Sequence, residues 1–136
     1  MIDKEIIKIA SNTENHGMLH KHTHFSKLKN AICGDEMKIY LIVKNNKIED
    51  FKYECKSCIY CQASVSLLSR KAKNKSIEKV KEFTEQAKNV FEKNVKSFDK
   101  EWREFDKIMT KNNISRKECL LLPVNTTLDA LNKKSL

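Results

Sequence analysis

Between Ser76 and Ile108 the apolar residues Ile77, Val80, Phe83, Ala87, Val90, Phe91, Val95, Phe98, Trp102, Phe105 and Ile108 recur every three or four positions, uninterrupted by Gly or Pro. That spacing gathers them on one helical face and predicts a long amphipathic helix, or two in series. The aromatic stripe is expected to pack in a core and not to hold a cofactor. A helix with one apolar face needs a second layer to cover it. The layer on offer lies upstream. Residues 37–43, "MKIYLIV", and 48–55, "IEDFKYEC", are rich in β-branched and aromatic types and flank the Asn-rich "KNNK". They predict an antiparallel hairpin.

The remaining segments add helices. Residues 3–10 carry Ile6, Ile7 and Ile9 among charges and predict a short helix, whereas 12–30 read as polar and irregular. Residues 58–72 predict the first long helix. Ser115 followed by Glu118 matches a capping box, which starts the last helix and puts Cys119 in its first turn. Pro123 is expected to kink or restart that helix. The fold class is α+β: a small antiparallel sheet of two to three strands packed against a C-terminal set of helices. At 136 residues, 1–136 is expected to form a single domain.

Charge narrows the function classes. The net charge is +9, from 27 Lys+Arg against 18 Asp+Glu, yet only Arg70, Arg103 and Arg116 are arginines. Lysines spread from end to end and interrupted by acids do not make a stripe for phosphates, so nucleic acid is disfavoured as a partner. The apolar run "IYLIV" is far too short to span a membrane. The N-terminal "MIDKEIIKIA" lacks an export signal, so the expected location is cytoplasmic. In that reducing compartment five cysteines point to metal binding or thiol chemistry and away from a disulfide framework.

Three of the five, Cys55, Cys58 and Cys61, open the helical stretch "ECKSCIYCQASVSLLSRK". Their spacing matches the opening of a bacterial ferredoxin run, but Val65 and Ser66 stand where that run needs Cys-Pro. Cys58 and Cys61 also form a C-x-x-C at a helix start, where the dipole favours thiolate; a thioredoxin-like redox protein would carry it after the first strand of a parallel sheet. A third arrangement draws on distant residues. Cys33, Asp35, Cys58 and Cys119 would supply three thiolates and a carboxylate, suited to tetrahedral zinc or to a cluster held with one weak ligand.

The motifs "CGDEM" at 33–37, C-x-x-x-x-A-S-x-S from Cys58, and "RKECLLL" at 116–122 occur in this order and spacing. Together they resemble the NifU/IscU/SufU family of iron–sulfur cluster assembly proteins. "SNTENHG" near the start is similar to that family's "ENPRNVG". The resemblance spans roughly residues 6–131 and is closest to a NifU-like bacterial branch with a C-x-x-C at the second cysteine.

The resemblance implies that Cys33, Cys58 and Cys119 are the three family cysteines and Asp35 the aspartate that keeps the cluster labile. It implies a cysteine desulfurase as sulfur donor, a cluster (2Fe–2S first) assembled on these ligands, and apo-proteins that receive it. Cys119 and Cys33 are the candidate persulfide acceptors. Glu118 replaces the histidine that precedes the last cysteine in the IscU type, and "NNIS" replaces its chaperone-binding "LPPVK". The SufU type also lacks the histidine and binds zinc, so a zinc-dependent sulfurtransferase is the second reading.

Cys61, one turn from Cys58, is a candidate fourth thiolate or resolving thiol. Cys55 ends a strand pattern and reads as structural. His20, His22 and His24 alternate, so on a strand they would share one face; the default is a solvated segment. His16 is expected to be a hydrogen-bonded loop residue, and Ser57 to cap the helix opened by Cys58.

Overall fold

Asn45 and Asn46 both adopt positive φ, 53° and 63°, as a two-residue type I′ turn requires. They join β2 (Glu36–Lys44) to β3 (Lys47–Lys56) in the expected antiparallel hairpin. The computed structural model describes residues 3–31, 34–93 and 97–133. A register shift opposite Ile42 and Val43 lets both Ile48 and Phe51 of β3 turn inward. With Met37, Ile39 and Leu41 of β2 they are fully buried, which contributes about 1.5–3 kcal/mol per side chain.

The sheet has a third strand, β1 (His24–Lys29), paired antiparallel to β2 in the order β1-β2-β3. It lies within the segment read from sequence as irregular. Its alternation is masked because Ser26, a polar residue, takes a core-facing position: it is fully buried and donates to Asp129. The histidines do not share a strand face. His24 is buried in β1, His20 is exposed before it, and the His22 ring packs against Phe25 and Tyr40.

Helices cover one face of the sheet. α1 (Lys4–Ala10) is capped by Asp3, whose carboxylate accepts from the Glu5 N–H. α2 (Ile59–Ala72) packs on α1, on β3 and on α4 (Lys117–Leu131), while α4 also covers β1 and β2. The long amphipathic stretch divides in two. α3 (Ile77–Glu92) starts at Ser76, whose hydroxyl accepts from the Lys79 N–H, and 3-10 segments follow at Lys100–Lys107 and Lys111–Arg116. Its aromatic stripe is core: Phe83 lies 4.4 Å from Trp102 and 4.6 Å from Phe105, centroid to centroid.

Two expectations about α4 fail. The Ser115–Glu118 box does not form, because residues 111–116 wind as a 3-10 segment and Arg116 becomes the N-cap, without a side-chain cap bond. Pro123 does not restart the helix, which continues to Leu131. Nearby hydroxyls adapt to it: Thr127 Oγ1 donates to the Pro123 carbonyl and Thr126 Oγ1 to that of Leu122. Among the described residues no helix is long and apolar enough to cross a membrane.

Candidate functional site

Three chain segments deliver the ligands. The first is the β1–β2 connection. Gly34, at φ 74°, takes a left-handed conformation that a side chain would strain. Its N–H donates to the Asn30 carbonyl at 2.8 Å, and the Asn30 N–H donates to the Asp35 carbonyl at 2.8 Å. Those two bonds close the loop and fix Asp35 directly ahead of β2. The tight turn expected at Gly34 is present.

The second segment is the start of α2. Cys58 is its N-cap, in extended conformation, and its thiol makes no capping bond. Ser57 does not cap the helix either; its Oγ is buried and without a hydrogen-bond partner. The Gln62 side-chain amide donates to the Ser57 carbonyl at 2.8 Å and steadies this entry. The third segment is the first turn of α4, where Cys119 lies as expected, buried.

One ligand atom each from Asp35, Cys58 and Cys119 lies within 4.8 Å of the others. Asp35 is 7% exposed, and its Oδ2 is buried without a partner. Buried polar atoms are nearly always partnered, so an unpartnered carboxylate oxygen beside two thiols is available to a cation. Two thiols and this unspent oxygen form a donor set that fits zinc or iron. Cys33, the fourth expected ligand and a candidate persulfide acceptor, lies outside the described residues. The site is more closed than a shallow thiolate surface: Asp35 and Cys119 are buried, and Cys58 is half-buried.

Helix packing holds the two cysteines together. Ser64 Oγ, fully buried in α2, donates to the Leu120 carbonyl of α4 at 2.7 Å. At the rim the Arg116 guanidinium sits 5.2 Å from the centroid of the Tyr60 ring, joining the same two helix starts by a cation–π contact. Sequence reading singled out neither residue for this role. The signal was the run of small residues in "ASVSLLS", whose Ser64, Ser66 and Ser69 are all buried and hydrogen-bonded.

The segment resembling the family's N-terminal motif is a staple. The Asn15 side chain donates to Ser69 Oγ and accepts from Lys73 Nζ, and Ser66 Oγ donates to the Asn12 carbonyl. The Gly17 N–H donates to the Tyr53 carbonyl. His16 bonds through its backbone N–H to the Thr13 carbonyl, and its ring meets the Tyr53 ring edge-on. The segment thereby ties α2 to β3 behind Cys55.

Cys55 and Cys61 are not members of the three-ligand group. Cys61 is fully buried, and burial pushes its thiol far above the usual range. Burial also raises the Cys55 thiol, helped by the charge of Asp35. Among the described residues no cysteine is in a disulfide. The ferredoxin-like run is absorbed otherwise, since Val65 and Ser66 are buried in α2. The sheet ahead of the C-x-x-C is antiparallel, unlike the parallel context of a thioredoxin-like site.

Comparison with known proteins agrees with this architecture. The chain is 29% identical over 137 residues to the iron–sulfur cluster assembly scaffold protein IscU of Thermotoga maritima, covering 99% of this chain and 95% of that protein. It is 27% identical, with a TM-score of 0.85, to a crystal structure of an iron–sulfur cluster assembly scaffold for the SUF system from Fervidobacterium islandicum, covering 96% of each chain. A NifU-like N-terminal protein from Brucella abortus shares the fold with a TM-score of 0.89 at 20% identity, covering 96% of this chain and 91% of that one. The sequence model described as "NifU-like N terminal domain" matches residues 1–109, and the chain therefore belongs to that family.

Proposed function

We propose that this chain is a scaffold for iron–sulfur cluster assembly, with the nascent cluster as its cargo. The observation that carries the reading is the convergence of Asp35, Cys58 and Cys119 within 4.8 Å, with one carboxylate oxygen buried and unspent. The names of the Thermotoga and Fervidobacterium relatives support it. Cys33, two residues before Asp35 in the sequence, supplies a third thiolate in this reading, and 1–136 acts as one domain.

The chain's residues divide the work. A cysteine desulfurase donates sulfane sulfur to Cys119 or Cys33. Cys58, half-buried at a helix start, is more open to arriving iron than the buried Cys119. Asp35 completes the set with a ligand that is harder than thiolate and bonds iron more weakly. That weakness lets the cargo pass to an apo-protein.

A second reading has a specific observation behind it. Glu118 stands where a histidine ligand would precede Cys119, and two thiols with a carboxylate also suit zinc. The chain would then hold zinc and relay persulfide sulfur without building a cluster. Anaerobic reconstitution with ferrous iron and sulfide, followed by absorption spectroscopy and metal analysis, separates the two. The scaffold reading expects a brown protein with sulfur-to-iron charge-transfer bands and one small cluster per chain. A colourless protein that keeps only zinc would replace it with the relay.

A further inference from the structure

Among the described residues the ligand group leaves two thiols unused, Cys55 and Cys61, and Cys61 is the one on the helix that Cys58 caps. It sits in the first turn of α2, three residues after the N-cap Cys58. Cys58 caps the helix in extended conformation and Cys61 lies one turn on, so the two side chains are neighbours at the helix start, and a disulfide between them would draw their Cβ atoms together. Cys61 is 0% exposed, so no reagent reaches it from solvent. The thiols within reach of it come from the chain itself. Asp35 Oδ2, in the ligand group that includes Cys58, is also buried without a partner.

We infer that Cys58 and Cys61 are an internal dithiol that reduces sulfane sulfur on Cys58 to sulfide. The inference rests on the reading that the chain accepts persulfide sulfur. Ligand atoms of Cys119 and Cys58 lie within 4.8 Å, so sulfur landing on Cys119 passes to Cys58 by thiol exchange, with the Cys58 proton returning to Cys119. The Cys61 thiol then attacks the inner sulfur of the Cys58 persulfide. The Cys58–Cys61 S–S bond forms and the persulfide S–S bond breaks. The terminal sulfur leaves as hydrosulfide, carrying the Cys61 proton. The two thiol sulfurs are oxidised to a disulfide, and the sulfane sulfur gains the two electrons.

A cluster needs sulfide, whereas a persulfide carries sulfur two electrons more oxidised, so this step supplies the missing reduction at the site of use. A dithiol reductant, small-molecule or protein, then reopens the Cys58–Cys61 bond and returns Cys58 to the ligand set. Sulfide release therefore precedes metal capture by Cys58. Burial keeps the Cys61 thiol protonated and away from outside oxidants, so it attacks only where the departing terminal sulfur of the adjacent persulfide takes up its proton.

The test uses the full chain, reduced, freed of reductant under anaerobic conditions and treated with inorganic polysulfide as persulfide donor. Released sulfide is trapped and counted, and the tryptic peptide 57–70, which contains both cysteines, is weighed. The unmodified protein should release ~1 sulfide per loaded chain and yield a peptide lighter by two hydrogens. Cys61→Ser and Cys61→Ala should keep the extra sulfur on the peptide and release sulfide at least ~10-fold more slowly. Cys55→Ser should behave as the unmodified chain. Persulfide that persists on the unmodified peptide, or variants that release sulfide at its rate, overturns the inference while leaving sulfur acceptance intact. If the Cys61 variants carry no sulfur at all, sulfur acceptance fails and takes this step with it. Equilibration with oxidised glutathione reads the pair alone: an intramolecular Cys58–Cys61 disulfide is expected, and a peptide that never closes overturns the pairing whatever the sulfur donor does.

Discussion

Asp35 shows how a single side chain sets what the site can do. A thiolate in its place would hold soft metals tightly. The carboxylate is buried, has one oxygen unspent, and is a hard donor through which soft iron can be exchanged. Asp35→Ala should therefore leave the fold intact and slow loss or transfer of a reconstituted cluster several-fold, read as the decay of its visible absorption in the presence of apo-ferredoxin. Transfer at the unmodified rate would remove Asp35 from the release step. Its neighbour Gly34 was legible as a turn because a left-handed backbone favours glycine, and φ is 74° there. Ser57 was misread. A serine just before a helix suggests a cap, but the chain enters one residue later, so Cys58 holds the N-cap place.

At the level of elements, the site depends on how α2 and α4 meet. Ser64→Ala removes the buried bond to the Leu120 carbonyl and should cost about 1 kcal/mol in urea unfolding. Because that bond lies one residue from Cys119, the same variant should also weaken metal retention, whereas Ser69→Ala, farther along α2, should leave retention unchanged. α4 is fixed at its other end by Asp129, which accepts from Ser26 of β1 and pairs with Lys133 at 3.0 Å. The Ser26 hydroxyl and the lysine hold the Asp129 carboxyl below its usual range. The sign follows: this contribution is complete above the unfolded value near ~4 and is lost as pH falls through the lower native value. Asp129→Asn should lower stability at neutral pH and flatten the acid limb of a stability profile, with the slope on the alkaline side unchanged; an unchanged acid limb would contradict the pairing. Helices and hairpin were legible because period and turn chemistry are local signals. β1 was not, since Ser26 occupies a core position and its partner lies at residue 129, out of reach of any local pattern.

For the molecule as a whole, the ligands are distant in sequence and adjacent only after folding. The order of the motifs made Asp35, Cys58 and Cys119 legible as a set, through resemblance and not through spacing. Their convergence needed the sheet, the α2–α4 contact and the staple at 12–17 to be known together. The extra cysteines were the ambiguous part, because Cys55, Cys58 and Cys61 are evenly spaced in sequence although only Cys58 joins the ligand group. Placement resolves them: Cys61 faces inward from α2, and Cys55 lies in β3 opposite Met37, outside the ligand group. The most direct measurement is therefore metal content per chain, after identical anaerobic loading with iron or zinc, for Cys58→Ser, Cys119→Ser and Cys55→Ser, each checked for native circular dichroism. Loss of one thiolate leaves too few strong ligands, so Cys58→Ser and Cys119→Ser should each lose most of the metal while Cys55→Ser keeps it. Retention by Cys119→Ser together with loss by Cys55→Ser would place the site on the consecutive cysteine run and contradict the three-segment centre.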